Sequence, residues 1–335
     1  MTVQIARSKL DDIYSLSNKI TCKEFASKIP NYEKLVYELD AGLERYIDRY
    51  TGKVRSDISY VRDSCPLCES KDFGYIFTKQ GFDHMLCNSC EMIFTLEVLK
   101  NEKISHLEEG TEGTSYGEYK EDKTVNELDR KKFEIMFEQM EKYKKIKNIF
   151  DIGSQSGTFL DWAKGKYDVI GHEYHNALRS VATRKGHRVL NDKLETIKLD
   201  REFDVITCWD YVDHMMDPKA IVKNLSKYLT KDGLFFYAIN NADSLSVRIL
   251  HKDSPLFAGP HHTMNYGIKQ LNLLMKDYTL LYAESYVSEL NWISNWLNFR
   301  HPQWGDAPLM TELFDPKKIC EMGMGMKLNA IYQKN

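Results

Sequence analysis

Two constellations in this chain of 335 residues have the residue types and spacing to do chemistry. The first is a pair of C-x-x-C turns, Cys65-Pro-Leu-Cys68 and Cys87-Asn-Ser-Cys90, with 18 residues between them. Such a turn aims two sulfurs at one ion, and two turns brought together complete a tetrahedral thiolate site of the kind that holds zinc. Four sulfur ligands leave no open coordination position, so the expected ion is structural and supplies folding energy. Cys22, Cys208 and Cys320 are scattered, and seven cysteines is an odd number; the pattern fits a metal site in a reducing compartment better than a disulfide framework.

The second constellation begins at Phe150-Asp151-Ile152-Gly153-Ser154-Gln155-Ser156-Gly157, an apolar strand that feeds a glycine-bearing turn and then a helix. Glycine lets a ligand approach the backbone closely, and the free amides at a helix start can donate to it. About twenty residues further on, Val169-Ile170-Gly171-His172 ends in Glu173, whose carboxylate can accept hydrogen bonds from both hydroxyls of a ribose. His214 and His262 are of the residue type that exchanges protons near neutral pH.

Alternating strands and helices must position these groups. The apolar pattern predicts strands at Ile149–Ile152, Val169–Gly171, Arg188–Leu190, Phe203–Cys208 and Leu234–Ile239, and late strands near Leu280–Val287 and Leu328–Tyr332. Helices are predicted through Phe159 and Ala163, over Ala177–Lys185 and Pro218–Tyr228, and after Tyr266. That order predicts an α/β fold, a doubly wound, mostly parallel sheet with helices on both faces. Four regions are expected: a helical N-terminal region (1–60), a small zinc-ribbon domain (61–100), a linker and helix (101–145) and the α/β domain (146–335). In the first, Ile13, Leu16, Ile20, Phe25, Leu35, Leu39, Leu43 and Ile47 recur at helical spacing, with Pro30 as a break. In the third, Tyr116 and Tyr119 are either ordinary loop residues or a cover over a ligand.

Asp151-Ile-Gly-Ser-Gln-Ser-Gly157, Glu173 and Phe203-Asp-Val-Ile-Thr-Cys-Trp-Asp210-Tyr-Val-Asp-His214 together resemble the class I S-adenosylmethionine-dependent methyltransferases, over roughly Lys147 to Lys334. The resemblance implies that Asp151, Gly153, Ser154, Gln155 and Gly157 meet the methionine part of S-adenosylmethionine and that Glu173 holds its ribose. It also implies that Asp192 and Leu194 border the adenine, that Asp210 faces the ammonium, and that Trp209 covers the adenine. The family's turn has a middle glycine where this chain has Gln155; that variant, and the four-cysteine segment before it, are similar to sugar C-methyltransferases and other bacterial zinc-ribbon methyltransferases of sugar and surface-glycan pathways. His262 matches the histidine of that family's Pro-x-His segment, here Pro260-His261-His262.

A hydrophobic fraction of 42%, with 12% aromatic and 28% charged residues, is that of a globular protein, and a net charge of -3 argues against a nucleic-acid partner. No run of about 18 apolar residues suggests a membrane span, and Arg7, Lys9, Asp11 and Asp12 stand where a signal peptide would be apolar, so a cytoplasmic location is expected. The expected function is methyl transfer to an oxygen or carbon of a small molecule, with a nucleotide-linked sugar or glycan precursor as acceptor. The alternative is a zinc-ribbon interaction protein with an inactive methyltransferase-like domain. A nicotinamide dehydrogenase would call for G-x-G-x-x-G, which Gly153-Ser-Gln-Ser-Gly157 does not supply. Trp292, Trp296, Phe299 and Trp304 form either an acceptor pocket or a homodimer face.

Overall fold

The computed structural model describes residues 6–7, 43–100, 123–286, 293 and 313–335. Tyr116, Tyr119, Cys22, Trp292, Trp296, Phe299 and Trp304 lie outside them. Along the chain come β1 (Ala6–Arg7), β2 (Ser59–Val61), β3 (Phe73–Lys79), β4 (Phe82–Cys87), β5 (Ile93–Thr95), β6 (Glu97–Leu99), α1 (Lys123–Met140) and β7 (Asn148–Ile152). Then α2 (Thr158–Ala163), β8 (Asp168–His172), α3 (Asn176–Arg184), β9 (Val189–Leu190), β10 (Phe203–Trp209), α4 (Pro218–Leu225) and β11 (Leu229–Asn240) alternate. The chain closes with α5 (Leu245–Leu250), β12 (Met264–Asn265), α6 (Ile268–Leu274), β13 (Tyr278–Tyr286), α7 (Pro316–Glu321) and β14 (Lys327–Lys334).

Eight strands form one mixed sheet in the order β1-β13-β14-β11-β10-β7-β8-β9. Among the described residues β14 alone is antiparallel to its neighbours, β11 and β13. The period-two alternation of strand side chains explains why both faces are covered. Ile149, Val205, Leu234 and Phe236 face one way and pack with Phe133, Met136, Phe137 and Met140 of α1 and with Phe159 and Trp162 of α2. Phe150, Ile152, Ile206, Phe235 and Tyr237 face the other way, into a second core. The spacing 133, 136, 137, 140 is one helix face, so the predicted helix preceding β7 docks as the pattern requires. β7 has β8 on one side and β10 on the other; at that reversal the carboxyl ends of the strands open a crevice that a ligand can enter.

The four-cysteine segment is joined to this sheet at two levels. Its own sheet, β12-β5-β4-β3, borrows β12 from far down the chain, with Met264 opposite Phe94 and Asn265 opposite Ile93. Cys65, Leu67, Cys87, Met92 and Phe94 also share a core with Phe150, Ile206 and Tyr266. A pair of hydrogen bonds from the buried Arg62 guanidinium to the carbonyls of Thr95 (2.9 Å) and Thr263 (3.2 Å) ties the two levels together.

Most of the expected N-terminal helical region lies outside the described residues. Leu43 and Glu44 are helical, and residues 45–60 form turns, an isolated bridge between Ile47 and Val54, and the start of β2. The Asp48 carboxylate accepts from the amides of Tyr50 and Thr51, both at 2.9 Å, and Gly52 takes φ 68°. This local bonding offers the backbone an alternative to the helix that the spacing of Leu43 and Ile47 suggests.

Candidate functional site

The turn after β7 is held by its own backbone. The amides of Gly153 and Ser154 both donate to the carbonyl of His172 at 2.9 Å, and the amide of His172 donates to Ser154 Oγ at 3.1 Å, so β8 clamps the turn. Gly153 sits at φ 74°, and a Cβ there would stand 2.7 Å from the Tyr211 ring. Both the backbone angle and the space therefore require glycine. Gln155 adopts φ 49°, the left-handed region that a middle glycine would favour. Its amide donates to Glu173 Oε2 at 2.9 Å, which holds the turn in shape despite the side chain.

Glu173 is held by backbone amides on both of its carboxylate oxygens. Buried to 5% exposure, it accepts from the amide of Gln155 on one oxygen and from the amide of His175, at 2.8 Å, on the other. Burial raises its pKa and the two amides oppose that rise. Each oxygen retains a lone pair for a ligand hydroxyl. Asp192, on the surface, accepts from His172 Nε2 at 2.8 Å through its carbonyl, and the Leu194 carbonyl accepts from Asn224 Nδ2 at 3.0 Å, so the chain bordering Glu173 is anchored too.

Asp151, Gly153, Ser154, Gln155, Trp209 and Asp210 line an open recess, together with Asp129, Lys132, Phe133, Thr158 and Phe159. Trp209 is a wall of it. Its ring packs 4.8 Å from Phe133 and 4.3 Å from Phe236, centroid to centroid, with Lys132 Nζ 5.4 Å from its centre. The last position of β10 shares the face of Val205, so this ring packs beneath α1 while still lining the recess. Asp210, at φ 52°, is ion-paired with Lys327 Nζ at 2.8 Å. Lys132 and Lys327 are recess neighbours that sequence reasoning missed, because each lies on an element remote from the glycine turn.

Burial raises the Asp151 pKa to about 7; hydrogen bonds from the Thr207 hydroxyl (2.7 Å) and Ser154 oppose the rise, and the Glu173 charge adds to it. A carboxyl whose pKa is higher folded than unfolded, here about 7 against about 3.9, favours the folded state at low pH. That stability is present below the unfolded value and is lost as pH rises through the folded one. Asp151→Asn keeps an acceptor for Thr207 and cannot ionise. Denaturant unfolding between about pH 5 and pH 8 is therefore expected to show wild type losing about 2–4 kcal/mol relative to the variant. Parallel curves would mean that Asp151 is already ionised at acid pH.

A second cluster lies beyond Tyr211. Val212–His214 form a short 3-10 turn after β10, and His262 comes from the loop after α5. Asp213, which sequence reasoning passed over, is buried between them. Its Oδ2 accepts from Asn240 Nδ2 at 3.3 Å and lies 3.4 Å from His262 Nδ1; its Oδ1 lies 3.8 Å from His214 Nε2. The His262 Nδ1–H donates to the Leu256 carbonyl at 2.9 Å. Burial lowers the pKa of His214, and of the adjacent His261 to about 3. Tyr211 joins the two places: its ring stacks on His214 at 5.8 Å between centroids while the same ring limits the space above Gly153.

The cysteines gather as the spacing predicts. Cys65 Sγ is 3.6 Å from Cys90 Sγ, Cys68 Sγ is 3.5 Å from Cys87 Sγ, and all four sulfurs lie within 4.8 Å of one another. A tetrahedron of about 2.3 Å metal–sulfur bonds has sulfurs about 3.8 Å apart, so the donor set fits one zinc-sized ion. The two turns repeat one geometry, each closing on a left-handed residue, Glu69 at φ 65° and Glu91 at φ 62°.

Residues 126–282 match a family model described as a methyltransferase domain. The chain carries a methyltransferase domain. Its crevice, glycine turn and Glu173 lie inside the matched span. Among curated proteins, two ubiquinone biosynthesis O-methyltransferases from Neisseria meningitidis are 26% and 25% identical over 111 residues. Those residues are 30% of this chain, which spans about half, 47%, of the relatives' length. Similar solved structures include a SAM-dependent methyltransferase from Archaeoglobus fulgidus, at 15% identity and TM-score 0.44 over 62% of this chain and 94% of that one. Another is an S-adenosylmethionine-dependent methyltransferase from Clostridium acetobutylicum, at 13% identity and TM-score 0.40 over 60% and 89%. Among the described residues no helix is long and apolar enough to cross a membrane.

Proposed function

We propose that this chain is a cytoplasmic S-adenosylmethionine-dependent methyltransferase whose acceptor is a hydroxyl, or an acidic carbon, of a small molecule, and that one structural zinc ion on Cys65, Cys68, Cys87 and Cys90 stabilises it. Nucleotide-linked sugars and glycan precursors are the first acceptors to try. They rest on the resemblance of the cysteine segment and the Gln155 turn to sugar methyltransferases, while the O-methyltransferase relatives favour oxygen. The observation that carries the reading is Tyr211: one ring borders both the glycine turn, where a cofactor's methionine portion would lie, and the Asp213–His214–His262 cluster, where an acceptor can lose a proton.

Bound in the crevice, the cofactor would supply a methyl on a sulfonium, which a nucleophile takes in line while the sulfur keeps the electron pair. The residues have three tasks. Glu173 orients the ribose, the β7–α2 turn and Trp209 wall shape the recess, and the histidine cluster draws off the proton that an acceptor hydroxyl gives up. Calorimetric titration of the full chain with S-adenosylmethionine and S-adenosylhomocysteine is expected to show about one site per chain. A radiolabelled methyl group is then expected to appear on a member of a panel of nucleotide sugars and small diols. No heat and no thermal shift at saturating cofactor would overturn the proposal and leave the interaction-protein alternative standing.

A further inference from the structure

The Asp213–His214–His262 cluster has features that proton transfer alone does not require. Its three donor groups come from two separate segments, yet one ligand atom from each lies within 4.8 Å of the others. His262 is fixed by the hydrogen bond from Nδ1 to the Leu256 carbonyl. A carbonyl can only accept, so the proton sits on Nδ1 and Nε2 presents its lone pair. Metal-binding histidines commit one nitrogen to a carbonyl or carboxylate and give the other to the ion; here Nδ1, which also lies 3.4 Å from Asp213 Oδ2, is the committed nitrogen and Nε2 is the donor left over. Asp213 is 4% exposed, and its Oδ1 has no hydrogen-bond partner among the described residues. A buried carboxylate oxygen without a partner is costly, and a cation is the partner that removes the cost. Asn240 Nδ2, donating to Oδ2, holds the carboxylate so that Oδ1 is the oxygen turned toward His214.

We propose that Asp213, His214 and His262 form a second metal site, separate from the cysteine cluster, which binds a divalent cation through two imidazole nitrogens and one carboxylate oxygen. That donor set suits zinc, manganese or iron(II), whereas magnesium and calcium prefer all-oxygen surroundings. The contrast with the cysteines is chemical. Four thiolates close the coordination sphere, while three protein ligands leave positions open for oxygens of a substrate. Resting on the methyltransferase reading, the open positions define the acceptor class: a molecule with two neighbouring oxygens, such as a vicinal diol or hydroxy-ketone. With the ion bound, the histidines act as ligands and not as the base: the ion would acidify one acceptor hydroxyl, which gives its proton to bulk water, and the resulting oxygen would take the methyl while the sulfonium sulfur keeps the electron pair.

Manganese(II) is the probe, since it favours nitrogen and oxygen donors over thiolates. Full-length protein with its cysteine-bound metal intact is titrated and the free ion is followed by electron paramagnetic resonance. Wild type is expected to take up about one manganese per chain. Asp213→Asn and His262→Gln are expected to weaken that binding by at least about tenfold. His261→Ala, beside the cluster and outside the ligand set, is expected to bind like wild type. Wild-type protein that binds no manganese, or variants that bind it as tightly as wild type, would overturn the site. If the substituted chains do not fold, the wild-type stoichiometry alone decides. Cofactor binding by the same samples keeps the two questions apart: cofactor without manganese removes only the metal site, and manganese without cofactor removes only the methyltransferase reading.

Discussion

Cys87→Ser is expected to release the zinc ion and to lower the thermal midpoint of the whole chain by roughly 10 °C, the shift that a loss of about 4 kcal/mol produces in a protein of this size. The size of the effect follows from where the cysteines lie. Cys65, Cys87 and Cys90 are buried in the same core as Met92, Phe94, Phe150 and Tyr266, so a lobe that loses its ion uncovers apolar surface belonging to the α/β sheet. The damage should also travel. β5 begins three residues after Cys90 and pairs with β12, and Gln270 Nε2 donates to the Cys90 carbonyl at 2.9 Å. Thr263, next to His262, is held by Arg62 and by the Thr95 amide at 3.0 Å. Zinc content by atomic emission and the unfolding midpoint check the prediction. Cys320→Ser, a buried thiol outside the cluster, is the control for mere loss of a core sulfur. Unchanged metal content and midpoint in Cys87→Ser would show that the four sulfurs hold no ion.

How far the sequence reached depended on the range of the interactions involved. β7, β8, β10 and β11 were legible because period-two apolar runs are local, and the two glycines and Glu173 stood at strand ends where an α/β sheet presents them. The C-x-x-C turns were legible for the same reason. Asp213 was not, because an aspartate in a three-residue turn becomes a site residue only when Asn240 and His262 are folded onto it from elsewhere in the chain. Tyr211 acquires its role from Gly153 through a contact that no spacing rule encodes. The packing of Trp209 beneath α1 follows from strand alternation, which puts the last residue of β10 on the same face as Val205. The two-residue strand β12 carries no periodic signal at all, and its pairing with β5 spans most of the domain. The middle position of the glycine turn shows a local rule overridden. Gln155 takes the left-handed angle at a cost of about 1 kcal/mol, and its hydrogen bond to Glu173 offsets that cost.

Glu173→Gln is expected to weaken S-adenosylhomocysteine binding by about a hundredfold, or about 3 kcal/mol, with a smaller effect on the stability of the free protein. The two amides that hold the carboxylate fix its orientation before any ligand arrives, so a ribose meets acceptors already in place. Glutamine has one carbonyl oxygen for the work of two carboxylate oxygens. It must leave either the Gln155 or the His175 amide without a partner, and its NH2 group meets a ribose hydroxyl with a donor where an acceptor is needed. Two charge-assisted hydrogen bonds to the diol are lost or weakened. For the folded state the loss of charge acts in the opposite sense. Because burial raises the Glu173 pKa, its ionised form is less favourable folded than unfolded, and the stability of the protonated form is lost as pH rises. Removing the charge at neutral pH thus offsets part of the cost of the unpartnered amide, and the cofactor-free midpoint is expected to change much less than the affinity does. Calorimetric affinity and the midpoint, measured on the same preparations, separate the two effects. A variant that is stable and binds as tightly as wild type would mean that the ribose lies elsewhere in the crevice.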